Sequence, residues 1–207
     1  MNKKERTLSI VRELKKLFPR TKTALDYKTP FQLLVAVILS AQTTDKKVNE
    51  ITPKLFAKFK TAQDFSKLSQ SKLESYIKSI GLYRGKAKNI LACAKAISEK
   101  YKGEIPRTMK EMVELPGVGR KTASVVLGIV HGVVEGIAVD THVRRLSQLF
   151  GLSKSSNPDI IERDLMAILP KNEWQEFTYR MIDYGRAYCP APCKHTACPL
   201  RSFIVKK

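Results

Sequence analysis

The chain is expected to be all-α, and its sequence supports this in three ways. Apolar residues recur at helical spacing along most of the 207 residues, no stretch alternates apolar and polar side chains as a half-buried strand does, and proline or glycine ends one segment after another. There is no internal repeat and no low-complexity tract. An apolar content of 43% suffices for a real core in one compact unit or two small lobes.

Residues 4–18 carry Leu8, Val11, Leu14, Leu17 and Phe18 at helical spacing, an amphipathic helix stopped by Pro19. Thr29-Pro30 is a helix start with proline in the first position. The run from Phe31 to Leu39 is almost wholly apolar, which marks a central buried helix whose end delivers Ser40-Ala41-Gln42 to the surface. Asp45 opens a helix through Phe59, with a bend at Thr52-Pro53. Ser71 to Ile80 is a short helix and Arg84 to Tyr101 a longer one. On the longer helix Leu91, Ala94 and Ile97 face inward, while Lys86, Lys88, Lys95 and Lys100 take other faces. Cys93 on that helix reads as a small buried thiol. Thr108 to Leu115 is short again, and Ala123 to Val130 is apolar nearly all round. Val143 to Phe150, Asp159 to Leu169 and Glu173 to Tyr188 complete the set, the last ending near Gly185.

Lysine and arginine total 38 against 19 acidic residues, a net charge of +19. That imbalance points to a polyanionic partner, and to nucleic acid ahead of membrane, because no lysine-rich amphipathic helix with exposed aromatics stands out. The N-terminus, MNKKERTLSIVREL, lacks the apolar core of a signal peptide. No apolar run approaches the roughly 18 residues of a membrane span. The expectation is a soluble, cytoplasmic, nucleoid-associated monomer. In that compartment four cysteines suggest free thiols or a metal centre, not disulfides.

The most informative stretch runs from Leu115 to Asp140, LPGVGRKTASVVLGIVHGVVEGIAVD. Pro116-Gly117-Val118-Gly119 is too tight and glycine-rich to continue a helix. It joins the short helix before it to the apolar helix after it. A buried helix exposes its N-terminus, where unpaired N–H groups and partial positive charge suit a phosphate oxygen. Lys121 falls in that first turn beside Arg120, so its ammonium form is disfavoured by the helix dipole and by a charged neighbour. It reads either as a phosphate-binding lysine or as an amine nucleophile able to form a Schiff base. Asp140 precedes the next helix and reads as its N-cap, as a functional carboxylate, or as both.

LPGVGRKTA followed by VDTHV resembles the helix-hairpin-helix DNA glycosylases, and specifically the endonuclease III family. Leu39-Ser40-Ala41-Gln42-Thr43-Thr44-Asp45 and Ile80-Gly81-Leu82-Tyr83 are similar to two further motifs of that family. The resemblance extends from about Thr23 to Cys198. It implies a six-helix barrel over residues 23–133 that contains the hairpin, and a second helical lobe formed by residues 1–22 and 134–207. It implies that Lys121 and Asp140 are the catalytic pair of a base-excision-repair glycosylase that also cleaves the abasic strand by β-elimination. Adenine-removing relatives of the same fold lack that lysine.

The implied substrate is double-stranded DNA with damaged bases, oxidised pyrimidines in particular, or abasic sites. Gln42 would enter the gap left by the extruded nucleotide, and Leu82 would wedge the stack open. Their plainer readings are a polar helix-end residue and a surface-loop leucine. Gly117, Val118, Gly119 and Arg120 would hold phosphate, with Arg84, Lys86, Arg144 and Arg145 as weaker backbone contacts. A monofunctional glycosylase, or a helix-hairpin-helix protein that binds DNA without chemistry, are the rival readings. Both leave Lys121 with Asp140 unexplained.

The same family carries a C-terminal C-x6-C-x2-C-x5-C motif for a [4Fe–4S] cluster. This chain ends YCPAPCKHTACPLRSFIVKK. Cys189 matches the first ligand and Cys198 the third, while His195 stands where the second belongs, Cys193 is displaced by two positions, and Ile204 replaces the fourth. Cys189, Cys193, His195 and Cys198 are therefore the candidate ligands of a cluster or a zinc ion. With count and spacing both broken, the expectation is that no stable cluster is present and that helix packing holds this lobe.

Overall fold

The computed structural model describes residues 2–192 and 196–205, and every regular element among them is helical. In chain order these are α1 (Lys3–Leu17), α2 (Pro30–Ser40), α3 (Asp45–Lys58), α4 (Ala62–Ser66), α5 (Gln70–Ile77), α6 (Tyr83–Lys100), α7 (Met109–Val113), α8 (Arg120–His131), α9 (Thr141–Leu149), α10 (Pro158–Met166) and α11 (Trp174–Ala187). Short 3₁₀ turns lie at Lys171–Glu173 and Arg201–Phe203. The chain folds into two units, Ala24–Val133 and a terminal unit of Met1–Thr23 with Val134–Lys207.

In the unit Ala24–Val133, α2 is the axis of the core. The Thr29 hydroxyl accepts the Gln32 N–H at 3.2 Å, and Pro30 takes a position whose missing N–H is harmless. Leu33, Leu34, Ala36 and Leu39 are fully buried, and α3, α6 and α8 pack around them. Pro53 lies inside α3, which runs through it to Lys58. The sequence reading missed α4, because five residues are too few for a periodic pattern. Its start is nevertheless written in Thr61 and Asp64, which form a reciprocal capping box, and its Ala62 and Phe65 are buried. Cys93 is buried as expected, and burial pushes its thiol up to about 12.

The terminal unit packs α1 against α11 and α9 against α11 and α10. Ile10 and Leu14 of α1 join Leu146, Phe150, Leu165, Phe177 and Met181 in a second core. Arg180, almost fully buried, donates through Nε to Phe18 O at 3.1 Å and pairs with Glu173 and Glu176; Lys15 pairs with Glu173. α11 ends at Ala187, near Gly185 as expected, with the glycine itself inside its last turn. Gly185 also makes a contact: a Cβ there would overlap His142 Nδ1 and lie 3.1 Å from His142 Cγ, so the glycine lets α9 approach α11. Ile204, which stands at the position of the fourth ligand, packs against this core.

Candidate active site and nucleic-acid interface

The hairpin between α7 and α8 is anchored from below. Val118 is 5% exposed within the core, and its N–H donates to Leu115 O at 3.1 Å. Gly117 has φ +76°, and a Cβ there would lie 2.7 Å from Asn89 Cβ, so neither the backbone nor the space admits a side chain. Gly119 is the N-cap of α8, exposed, in extended conformation and with no side-chain cap. Arg120 and Lys121, both exposed, follow in the first turn. This helix end therefore presents backbone N–H groups and two cations at the surface of an otherwise apolar helix, an arrangement suited to a phosphodiester.

Asp140 is the N-cap of α9, where its Oδ1 accepts the Val143 N–H at 2.8 Å. The cap uses one carboxylate oxygen and fixes the orientation of the other. Lys121 belongs to the unit Ala24–Val133 and Asp140 to the terminal unit.

Gln42 and Leu82 lie on two adjoining loops of one unit. Gln42 follows α2 with φ +53°, and Leu82 is the N-cap of α6 with φ +58°. A Cβ at Gly81 would sit 3.8 Å from Gln42 O, an ordinary contact between the two loops. Left-handed backbone is rare for residues that carry a side chain and concentrates where function requires it. Leu82 is also 67% exposed. It is the most exposed large apolar side chain among the described residues.

Of the four weaker cationic candidates, two are occupied inside the fold. Arg84 and Arg144 are exposed, and the Arg84 guanidinium lies 5.6 Å from the centre of the Tyr83 ring. Arg145 donates to Cys189 O at 2.6 Å and to Cys189 Sγ at 3.3 Å. Lys86, read from sequence as lying on an outward face of its helix, is 6% exposed. Its Nζ donates to Leu39 O at 2.8 Å, Ala41 O at 2.6 Å and Thr43 Oγ1 at 3.0 Å. Burial holds its ammonium below the ordinary lysine range. Sequence reasoning names Lys86 only as a weaker backbone contact and misses its buried role, since nothing in its local pattern separates it from the solvated lysines nearby.

Cys189 and Cys198 are both buried in the core of the terminal unit, and the Cys198 thiol donates to Tyr188 O at 3.3 Å. Two soft donors in one core, one of them already receiving an arginine N–H at sulfur, fit thiolate ligation. Cys193 and His195 lie outside the described residues. Among the described residues no three His, Cys, Asp or Glu side chains form a metal-binding group.

The profile of the HhH-GPD superfamily base excision DNA repair proteins matches residues 35–171. Endonuclease III of Synechocystis sp. is 48% identical over 190 residues, which cover 92% of this chain and 87% of that protein. A non-covalent endonuclease III–DNA complex is similar with a TM-score of 0.93 and 43% identity, covering 99% of this chain and 96% of the other. A trapped endonuclease III–DNA covalent intermediate, an estranged-adenine complex, is similar with a TM-score of 0.93, 43% identity and the same 99% and 96% coverage. These relationships correct the expectation of a cluster-free lobe, since endonuclease III homologues carry a [4Fe–4S] cluster. That expectation rests on a missing fourth cysteine and on ligand spacing along the chain, and spacing says nothing of where Cys189 and Cys198 lie in space. The profile match over residues 35–171, together with near-half identity along most of the chain, shows that this chain belongs to the HhH-GPD superfamily of base excision DNA repair proteins, alongside endonuclease III.

Proposed function

We propose that Lys121 is the nucleophile and Asp140 the assisting carboxylate of this enzyme, a base-excision-repair DNA glycosylase and abasic-site lyase that acts on double-stranded DNA. The observation that carries the reading is the trapped endonuclease III–DNA covalent intermediate, whose protein is similar to this chain over 99% of its length. A covalent intermediate requires a nucleophile, and Lys121 offers an exposed amine at a helix start suited to phosphate.

Lys121 Nζ, as free amine, forms a bond to C1′ of the damaged nucleotide, and the base leaves with the electrons of the glycosidic bond. Asp140 assists the loss of the amine's proton to solvent and stabilises the positive charge that develops on the sugar. The resulting Schiff base acidifies the adjacent C2′ proton, whose loss expels the 3′ phosphate and cuts the strand. Gly117, Val118, Gly119 and Arg120 hold the backbone, Leu82 wedges the stack and Gln42 occupies the vacated space. Oxidised pyrimidines are the proposed substrates, and the enzyme works as a nucleoid-associated cytoplasmic monomer. Among the described residues no helix is long and apolar enough to cross a membrane. Cys189, Cys193, His195 and Cys198 are the residues that would hold the [4Fe–4S] cluster, which when bound cross-links the C-terminal segment.

Borohydride reduction of the protein on an abasic duplex tests this reading. The parent protein should be trapped covalently, and Lys121→Ala should abolish trapping while retaining binding. Undiminished trapping in Lys121→Ala would remove Lys121 from the mechanism, and no trapping in the parent would favour a protein that binds without chemistry.

A further inference from the structure

Lys86 connects the two loops that carry Gln42 and Leu82. Its own N–H donates to Leu82 O at 3.1 Å as the first turn of α6 closes. Its side chain reaches back to α2, where Leu39 O is among the carbonyls that a helix end leaves without partners. The remaining two acceptors, Ala41 O and Thr43 Oγ1, flank Gln42 on either side. All three donors of the ammonium are thus used on one short segment, and its positive charge sits at the negative end of the α2 dipole.

We infer that Lys86 is a positioning residue for strand opening, holding the Gln42 and Leu82 loops at a fixed separation so that both side chains enter one gap in the duplex. The inference rests on the roles proposed for Gln42 and Leu82. The two loops leave different helices, so without a link each would move with its own helix end. Both residues hold left-handed backbone, which an unsupported loop would relax. Lys86 supplies that support from α6: its buried ammonium holds the segment around Gln42, while its backbone N–H holds Leu82 O. Extrusion of a nucleotide from paired DNA requires this alignment. A nucleotide in a single strand is already accessible and does not require it.

The test compares borohydride trapping rates on one abasic site presented in a paired duplex and in a single strand. Lys86→Met keeps the aliphatic stem and removes all three donors. Its duplex rate should fall on the order of ten- to a hundred-fold while its single-strand rate stays within about two-fold of the parent. The fluorescence rise of 2-aminopurine placed opposite the site should be lost in the same variant. Thr43→Val removes one acceptor and leaves Lys86 in place. It should show a smaller duplex-selective loss, and it decides the matter if Lys86→Met does not fold. Equal loss on both substrates would assign Lys86 a merely structural role and overturn the inference, as would unchanged duplex trapping. A parent protein trapped on neither substrate would instead overturn the lyase reading, and this inference with it.

Discussion

At the start of α9 the Asp140 carboxylate receives the Val143 N–H at 2.8 Å, whereas α8 starts at Gly119 with no side chain across its first turn. The first arrangement is self-contained: the backbone holds a negative charge in one orientation, and that charge suits the positive end of the helix dipole. The second keeps its N–H groups for an acceptor from outside and adds two exposed cations, Arg120 and Lys121. One helix start thus supplies a fixed carboxylate and the other a receptor for a mobile anion. The difference rests on one residue type, aspartate against glycine, at the N-cap.

Changing charge without changing the cap would sharpen this contrast most. An asparagine amide oxygen would accept the same N–H, so Asp140→Asn should fold normally and bind DNA, yet lose base excision by about 10²- to 10³-fold in single-turnover assays. Excision at the parent rate would reduce Asp140 to a cap. Making α8 resemble α9 has a smaller expected effect. Gly119 is extended and a Cβ there meets no atom within 4 Å, so Gly119→Asp should be tolerated or stabilising by about a few tenths of a kcal/mol. Its carboxylate would stand where phosphate is proposed to bind. Affinity for duplex DNA should therefore fall about ten-fold in low-salt titrations, and the deficit should narrow as salt screens the added charge. An unchanged affinity would break the comparison. The smallest effect is on stability: Asp140→Ala should melt about 2–4 °C below Asp140→Asn, the equivalent of about 1 kcal/mol for a lost cap.

The features legible in the sequence were those with local causes. Thr29-Pro30 ahead of an apolar run marks a capped, buried helix, and that is α2. Gly117 reads as a turn residue from its neighbours, although the crowding against Asn89 that also requires it comes from another helix. Asp140 is legible as a cap because capping depends on the few residues that follow it. Lys86 was not legible, since its acceptors lie 43 to 47 positions back along the chain. On α6 it is one lysine among several, and burial by another element leaves no trace in helical periodicity. Gly185 is half legible for the same reason: it marks the approach of the helix end, but its contact with His142 on another helix leaves no trace in the sequence. The cluster is not legible because a missing fourth cysteine and a broken spacing count against it in the sequence, while the burial of Cys189 and Cys198 in one core does not show there.

Packed helices are ordinarily separated by a layer of side chains, and a substitution in that layer is absorbed by rotamer changes. At Gly185 there is no such layer, and α11 meets the imidazole of His142 with bare backbone. The separation of α9 from α11 is therefore set by a ring and a main chain, neither of which can shrink. Even a methyl group at position 185 would force the His142 ring to shift, two residues from Asp140 in the same first turn of α9. Heritable change at a buried glycine on another helix would then surface as an enzyme that folds and binds DNA but leaves lesions in place.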